Sequence, residues 1–204
     1  MKKLLVIFIA FLSILVLTTS PKAQIHLSLG PELGVALPLS DYSGEVTDYY
    51  NGTKYGMKTG FNFGATLKAE LIVLSGRLDI SYSMHENEGN PTGQNNSSLT
   101  TKMNNLIIGF GPEYQIDIPM SPVKPYGSIE FLISTFGGEF QFQGTSSVNS
   151  SNNKMTTATR TGIGIILGTE IKLAVFALDI NLRYNMLNAF GQSFTSYNNN
   201  PNNR

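Results

Sequence analysis

The 204-residue chain contains no cysteine and no tryptophan, and it has only two histidines. Without cysteine it can form no disulfide and can carry no lipid on an N-terminal cysteine, so strand pairing and burial must hold it together. His26 and His85 fall on different predicted strand ends, and neither has a third metal ligand near it in the sequence. We therefore predict no metal site and no cofactor.

Apolar runs of transmembrane-helix length are also lacking after residue 23, so only a closed sheet could cross a membrane. Residues 1–23 themselves have the pattern of a secretory signal peptide: a short basic start, an apolar run over residues 4–17, and a small-residue exit ending at Ala23. That apolar run is shorter than the roughly 20 residues that a spanning helix needs. We predict a signal peptide over 1–23 and a single domain over 24–204.

An excess of positive charge is lacking as well. Basic and acidic residues number 14 each, and removal of residues 1–23 takes away three lysines and no acid. The mature chain is therefore negatively charged, which argues against nucleic acid as a partner.

What the sequence does contain is a regular alternation of apolar residues with small or polar ones, at a period of two. Seven segments alternate apolar residues with small or polar ones, and residues 57–71 do so most clearly: Phe61, Phe63 and Leu67 share one face, and Gly60 and Gly64 the other. This pattern predicts strands with one face against lipid and the other in a crowded barrel interior. The predicted strands are residues 24–37, 57–71, 76–85, 102–118, 125–142, 157–173 and 176–187. On the fifth, the alternation shifts phase at Gly137 and Gly138, which predicts a bulge.

Long polar connections, residues 38–56, 86–100 and 144–156, alternate with tight turns. With the N-terminus in the periplasm, every long loop lies outside the cell, as in bacterial barrels. We predict an all-β fold, an antiparallel up-and-down transmembrane β-barrel in the outer membrane. Single-chain bacterial barrels have even strand numbers, so seven strands indicate an eight-stranded type whose last strand is missing because the sequence is a fragment. A native seven-stranded open sheet and edge pairing with another chain are the alternatives.

Ten charged residues fall on the inward face of these strands. They are Lys68, Glu70, Arg77, Asp79, Glu113, Glu130, Glu170, Lys172, Asp179 and Arg183. With turns at residues 72–75 and 174–177, Glu70 faces Arg77, Lys68 faces Asp79, and Lys172 also faces Asp179. An eight-stranded barrel is narrow enough to be filled by its own side chains, and opposed charges stabilise register. We predict an ion-pair network that closes the interior, with a small pore for ions or small solutes as the alternative.

Tyr42, Tyr49, Tyr50 and Tyr55 lie in the first long loop. Aromatic residues are enriched at binding hot spots, which makes these tyrosines the best candidates for contact with an extracellular partner. The alternative is that they cap the loop and meet lipid headgroups.

Two further classes of function have weaker support. An outer-membrane lipase would pair His85 with Ser81 or Ser83 and a nearby glutamate, since residues two apart share a face of a strand. A soluble secreted barrel that binds lipid would turn its apolar face inward, and the glycine-rich polar face counts against it. We predict no catalytic residues.

Four sequence features carry a family resemblance: the Ala23–Gln24 junction, the segment from Gly60 through Leu71, Lys124-Pro-Tyr-Gly127, and the segment from Leu178 to Tyr184. In these features the chain resembles the small outer-membrane β-barrel family of the OmpA transmembrane domain and OmpX, in the versions common in Bacteroidetes-like bacteria. The resemblance implies an eight-stranded up-and-down barrel that the outer-membrane assembly machinery inserts into the lipid. Together with the closed interior, it leads us to expect a non-enzymatic protein with a structural or surface-interaction role.

Overall fold

The computed structural model describes residues 26–51, 53–71, 74–90, 97–143, 150–155, 157–173 and 176–190. Its strands are β1 His26–Ala36, β2 Gly60–Leu71, β3 Leu74–Gly89, β4 Ser98–Gln115, β5 Val123–Gln143, β6 Ser151–Lys154, β7 Ala158–Leu173 and β8 Phe176–Met186. They form one antiparallel sheet in the order β1-β2-β3-β4-β5-β7-β8, with the short β6 also paired to β5. The sheet curls into an incomplete barrel, which confirms the predicted fold class. The predicted signal peptide lies outside the described residues.

The polarity of this sheet is the reverse of that in a soluble protein. Along β3, Leu78 and Ile80 are exposed on the outside, whereas Arg77 and Asp79 are buried on the inside. Leu33 on β1 is 85% exposed. An apolar outer face and a polar inner face are what the predicted alternation requires of strands in a lipid bilayer.

In the part of the chain that the structure describes, helical structure is confined to the connection between β1 and β2. It comprises a 3₁₀ turn over Ser40–Tyr42 and one short α-helix, α1 Val46–Asn51. Within the described ranges, no helix has the length and the apolar character needed to cross a membrane.

The sheet is taller on one side than on the other. Strands β3, β4 and β5 have 16, 18 and 21 residues, whereas β1, β2 and β8 have 11, 12 and 11. The extra residues lie at the outer end, because Phe61 near the top of β2 pairs with Met84 and β3 continues to Gly89. At about 3.4 Å per residue, these outer ends of β3, β4 and β5, here called the ledge, rise roughly 17 Å above the top of β2.

The two faces of the sheet exchange polarity at the base of the ledge. On β5 the outward side chains are apolar up to Ile133 and polar from Thr135 onward. The inward side chains change in the opposite sense and become aromatic, with Phe136 and Phe140 buried. Above this level the outer face therefore meets water and the inner face packs on protein.

This exchange explains the shift of phase at Gly137 and Gly138. The predicted bulge is wrong for the pairing with β4, because Asn104 faces Gly137 and Met103 faces Gly138 without interruption. The glycine pair instead lies where the partner on the other side of β5 changes from β7 to β6.

Candidate functional site

All ten predicted interior charges are among the described residues, and each makes an ion pair with at least one of the others. Strand β2 contributes Lys68 and Glu70, β3 Arg77 and Asp79, β4 Glu113, β5 Glu130, β7 Glu170 and Lys172, and β8 Asp179 and Arg183. Together with Glu32 on β1, which pairs with Arg183, these residues are called the interior network below. Side chains from seven strands thus meet in the space that the curled sheet surrounds.

Arg77 lies at the centre of the interior network, with only 1% of its side chain exposed. Its Nε atom donates to Asp79 Oδ2 at 2.6 Å, and its Nη1 atom donates to Glu113 Oε2 at 2.8 Å. Glu130 Oε1 is 3.4 Å from the same Nε atom. A planar guanidinium with five donors can serve several carboxylates at once, which a lysine at this position could not do with the same geometry.

Lys68 is the second buried cation of the interior network. Its ammonium nitrogen lies 2.8 Å from Asp179 Oδ2 and 3.3 Å from both Glu170 Oε2 and Glu113 Oε1. Glu113 therefore connects Lys68 to Arg77. Because a buried charge without a partner costs several kcal/mol, such a cluster is stable only when each charge has its partners.

Tyr126 and Glu32 belong to this site but were not singled out in the sequence. The Tyr126 hydroxyl donates to Asp179 Oδ1 at 2.6 Å and accepts from Arg77 Nη1 at 3.1 Å, and the Lys68 ammonium lies 4.5 Å from the centre of its ring. Both residues stand at inward positions of their strands, and that position was the only sequence signal for them.

The register of the β2–β3 hairpin differs from the predicted one. Leu71 pairs with Leu74, so only residues 72–73 separate the strands, and each residue of β2 faces a residue of β3 that lies two positions earlier than a turn over 72–75 predicts. Lys68 consequently faces Arg77, and Glu70 faces Ser75. The predicted pairings of Glu70 with Arg77 and of Lys68 with Asp79 are therefore wrong.

The β7–β8 hairpin is shifted in the same way. Leu173 pairs with Phe176 across residues 174–175, so Lys172 faces Ala177 instead of Asp179. The residue that does face Asp179 is Glu170. Two acids thus oppose each other on neighbouring strands, and Lys68 from the other side of the interior contacts both.

The connection between β1 and β2 folds back into the outer mouth of the sheet. Its residues 38–51 and 53–57, here called the lid, place Val46, Tyr55 and Met57 against Met103 and Phe136 in one apolar cluster. This cluster forms a second layer of the interior, above the interior network. The sequence predicts a long polar loop outside the cell over residues 38–56 and a strand from Met57 onward, so this packing into the mouth differs from the prediction.

Polar contacts hold the lid in place. Asn87 on β3 donates from its side-chain amide to the carbonyl oxygens of Gly44, at 3.2 Å, and Gly56, at 2.7 Å. Gly56 has a φ of 65° and lies against the Glu45 backbone, where a side chain would collide. An ion pair of 2.8 Å between Lys58 and Glu45 adds an exposed contact.

The structure places two of the four predicted contact tyrosines inside the lid. Tyr55 is 7% exposed and stacks on Tyr42 with ring centres 5.2 Å apart, and both stack on Phe136. The Arg160 guanidinium lies over the Tyr55 ring and donates to its hydroxyl. Tyr55 therefore has no ring surface for an external partner, and Tyr42 uses its ring within the lid. Tyr49 and Tyr50 lie on α1, and their side chains are outside the described residues.

Burial also changes the acidity of these two phenols. It raises the pKa of Tyr42 to about 12 and raises the pKa of Tyr55 above its ordinary value, although the nearby Arg160 acts in the opposite direction. Both hydroxyls are therefore protonated at neutral pH.

The residues that the lipase alternative would need do not form a catalytic group. The inward side chains of β3 include Ser81, Ser83 and His85. The Nδ1 atom of His85, however, donates a hydrogen bond to the Lys58 carbonyl oxygen at 2.9 Å. Among the described residues, His85 makes no hydrogen bond to either serine. The described part of the chain also holds no group of three or more His, Cys, Asp or Glu side chains that could bind a metal ion.

An antiparallel sheet that curls around a charged interior and exposes an apolar outer face defines a protein that crosses the bacterial outer membrane with β-strands. The chain belongs to the outer membrane protein beta-barrel domain family, whose model matches residues 9–203. This match confirms the family resemblance and the outer membrane as the location. No curated protein and no solved structure matches the chain.

Proposed function

We propose that the protein is a non-enzymatic outer-membrane barrel with a structural or surface-interaction role, whose interior is closed to solutes. The observation that carries this proposal is the interior network, at whose centre the buried Arg77 guanidinium and the buried Lys68 ammonium share the buried carboxylate of Glu113. Charged side chains that satisfy one another across the barrel leave no continuous row of free polar groups for a passing ion.

The lid supports the same proposal from the outer end. Its apolar cluster lies directly in the mouth above the interior network, so a solute would meet two chemically different barriers in series. In this proposal the exposed apolar band contacts membrane lipid, and the assembly machinery of the outer membrane inserts the chain.

Interaction with an extracellular partner would involve the parts of the protein that project into the medium. The ledge is such a part, with the outward residues Glu86, Lys102 and Glu139. Tyr49 and Tyr50 on α1 are kept as candidates for this contact on the sequence alone. Tyr42 and Tyr55 have the role of anchoring the lid.

A lipid carrier with an apolar interior is poorly supported, because the large apolar side chains of the strands point outward below the ledge. The absence of a serine–histidine hydrogen bond among the described residues of β3 likewise gives no support to a lipase.

Conductance across a planar lipid bilayer tests the closed interior. The full-length protein, extracted from outer membranes and checked for folding by its heat-dependent mobility on gels, should give no discrete current steps. The double variant Lys68→Ala/Arg77→Ala removes both buried cations of the interior network and should give steps. Lys102→Ala/Lys154→Ala removes two solvent-accessible cations outside the lid and the interior network, and serves as the matched control.

Regular current steps from the wild-type protein would overturn the closed interior and favour the small pore. A silent double variant that still folds would show that the interior network is not what blocks the passage of ions. A silent wild type with a conducting double variant is the result we expect.

A further inference from the structure

The connection between β4 and β5 lies at the inner end of the sheet, opposite the ledge. Its Met120 is fully exposed, more so than any other large apolar side chain among the described residues. Ile118, two residues before it, is 45% exposed. Exposure alone says little, because single apolar side chains are common on protein surfaces.

The backbone of Met120 has a conformation that glycine normally occupies. The Ser121 N–H donates to the Ile118 carbonyl oxygen at 3.1 Å, which closes a four-residue turn with Pro119 second and Met120 third. Met120 has a φ of 61°, as the third position of a type II turn requires, and glycine is the residue preferred there. Among the described residues, Ser40 is the only other non-glycine residue with a positive φ. Met120 therefore costs backbone strain that glycine would avoid, and such strain is concentrated at functional positions.

Two further contacts hold this turn in one shape. The Lys124 ammonium pairs with the Asp117 carboxylate across its base. The Val123 N–H donates to the Ser121 hydroxyl oxygen at 3.1 Å. The turn therefore keeps Met120 in a fixed position at its tip.

The apolar side chains of the turn continue the lipid-facing surface of β4. By alternation, the outward residues of β4 and its extension are Leu106, Ile108, Phe110, Pro112, Tyr114, Ile116 and Ile118. Charged side chains stay on the other face, where Glu113 is buried and Asp117 pairs with Lys124. The surface that meets lipid therefore extends as far as the turn.

This outward run is longer than the apolar band of an outer-membrane barrel. At about 3.4 Å per residue and a tilt of about 40°, the distance from Leu106 to Ile118 is roughly 31 Å along the membrane normal, whereas the band is about 25 Å tall. The layer of lipid headgroups on each side of a bilayer is roughly 5–7 Å deep. Ile118 and Met120 therefore fall where headgroups meet acyl chains.

We propose that Met120 and Ile118 insert into the boundary between headgroups and acyl chains in the leaflet at this end of the barrel, so that phospholipid is the partner of this turn. Burial of the methionine side chain in lipid offsets the strain of its backbone. Leu74 and Phe176, at the inner ends of the other two hairpins, are 51% and 66% exposed and belong to the same apolar rim. A rim anchored in this way fixes the depth of the barrel in the membrane, as interfacial side chains do in other membrane proteins.

This inference goes beyond the proposed function, and it does not depend on whether the interior is closed. A soluble protein with an apolar pocket is the other candidate partner for Met120. Such a protein would have to reach a side chain that the length of the outward run places within the headgroup layer, so lipid fits better.

Tryptophan fluorescence tests the proposal, because the chain has no tryptophan of its own. Met120→Trp is placed in lipid nanodiscs, in which both leaflets are open to the solvent. Its quenching by phosphatidylcholines brominated at defined positions of the acyl chain is compared with its quenching by aqueous iodide. Leu78→Trp, on the lipid-facing surface of β3, and Glu88→Trp, on the outer face of the ledge, are the references for lipid and for water. Each variant is checked for folding by its heat-dependent mobility on gels.

We expect bromine near the headgroup end of the acyl chain to quench Met120→Trp most, and bromine farther down the chain to quench Leu78→Trp most. Iodide should quench Glu88→Trp roughly fivefold more strongly than Met120→Trp, because a side chain held at the lipid boundary is shielded from ions in water. Equal quenching of these two variants by iodide would place the turn in water, leave Met120 to a soluble partner, and overturn the proposal. Strongest quenching of Met120→Trp by bromine at the far end of the acyl chain would overturn it as well.

A second probe is needed because tryptophan itself favours membrane interfaces. The chain has no cysteine, so Met120→Cys and Glu88→Cys can each carry a single nitroxide label. Electron paramagnetic resonance then compares relaxation by oxygen, which concentrates in lipid, with relaxation by a water-soluble nickel complex. The ratio of oxygen to nickel relaxation should be higher for Met120→Cys than for Glu88→Cys, and equal ratios would overturn the proposal. Neither measurement involves ion conduction, so the conductance test of the closed interior can fail or succeed independently.

Discussion

Glu170 and Asp179 face each other across strands β7 and β8, and the ammonium group of Lys68 contacts both carboxylates. Two acids at directly opposite positions repel each other and destabilise a sheet. Their pairing in this barrel therefore depends on a cation from β2, a strand that is not a neighbour of either β7 or β8.

Replacement of Lys68 by methionine should lower the free energy of unfolding by about 3–5 kcal/mol, because it leaves buried carboxylates without their partner. Urea titration followed by far-ultraviolet circular dichroism in lipid vesicles measures the change. Lys172→Met is the matched control, since this side chain is 43% exposed and should cost about 1 kcal/mol or less. Equal losses in the two variants would contradict the role given to Lys68.

Replacement of Gly111 by alanine should lower the free energy of unfolding by about 1–3 kcal/mol, because a Cβ at this inward position of β4 would collide with the carbonyl oxygen of Ile129. Gly30→Ala offers the same chemical change on β1, where the space is open, and should be close to neutral. The same urea titration compares the two. If Gly30→Ala proved the more harmful of the pair, the open space beside β1 would be in doubt.

The lid should loosen in alkaline solution. The pKa of Tyr42 is raised from 10 to about 12, so the folded lid binds this proton more tightly than the unfolded chain does. Its contribution to stability is complete below pH 10 and is lost as the pH rises through 12. Absorbance of tyrosinate and protease cleavage within residues 38–56 should rise together in this window. The variant Tyr42→Phe should remove one tyrosine from the late part of the titration, and an unchanged curve would contradict this assignment.

The faces of the strands could be predicted from the sequence because a period of two has only one interpretation in a sheet with lipid on one side. Arg77 and Asp79, two residues apart, had to point the same way, and both point inward. Tyr126 also stands at an inward position, but nothing in the sequence indicates which charged side chains a single tyrosine there will contact.

The register of the hairpins could not be predicted in the same way. Residues 72–75 read Ile, Val, Leu and Ser, and nothing in them distinguishes a turn of two residues from one of four. A change of two residues preserves every side-chain direction but replaces every cross-strand partner. For this reason the sequence predicts which charged residues lie in the interior, but it does not predict which of them face each other across neighbouring strands.

The lid was missed for a different reason. Its residues are polar and contain glycine, which is typical of a solvated loop, and its apolar side chains are widely spaced in the sequence. Tyr42, Val46 and Tyr55 come together only because the inner face of the ledge offers Met103 and Phe136 at the same height. Such a site arises from contacts between distant segments and leaves no local pattern.

The unequal height of the sheet has a consequence for whatever approaches the cell. A large particle, such as an antibody or a bacteriophage, meets the outer ends of β3, β4 and β5 first, and the lid is recessed behind them on that side. Glu86, Lys102 and Glu139 stand on the outer face of the ledge, so such a particle would meet these three side chains before it reached the lid.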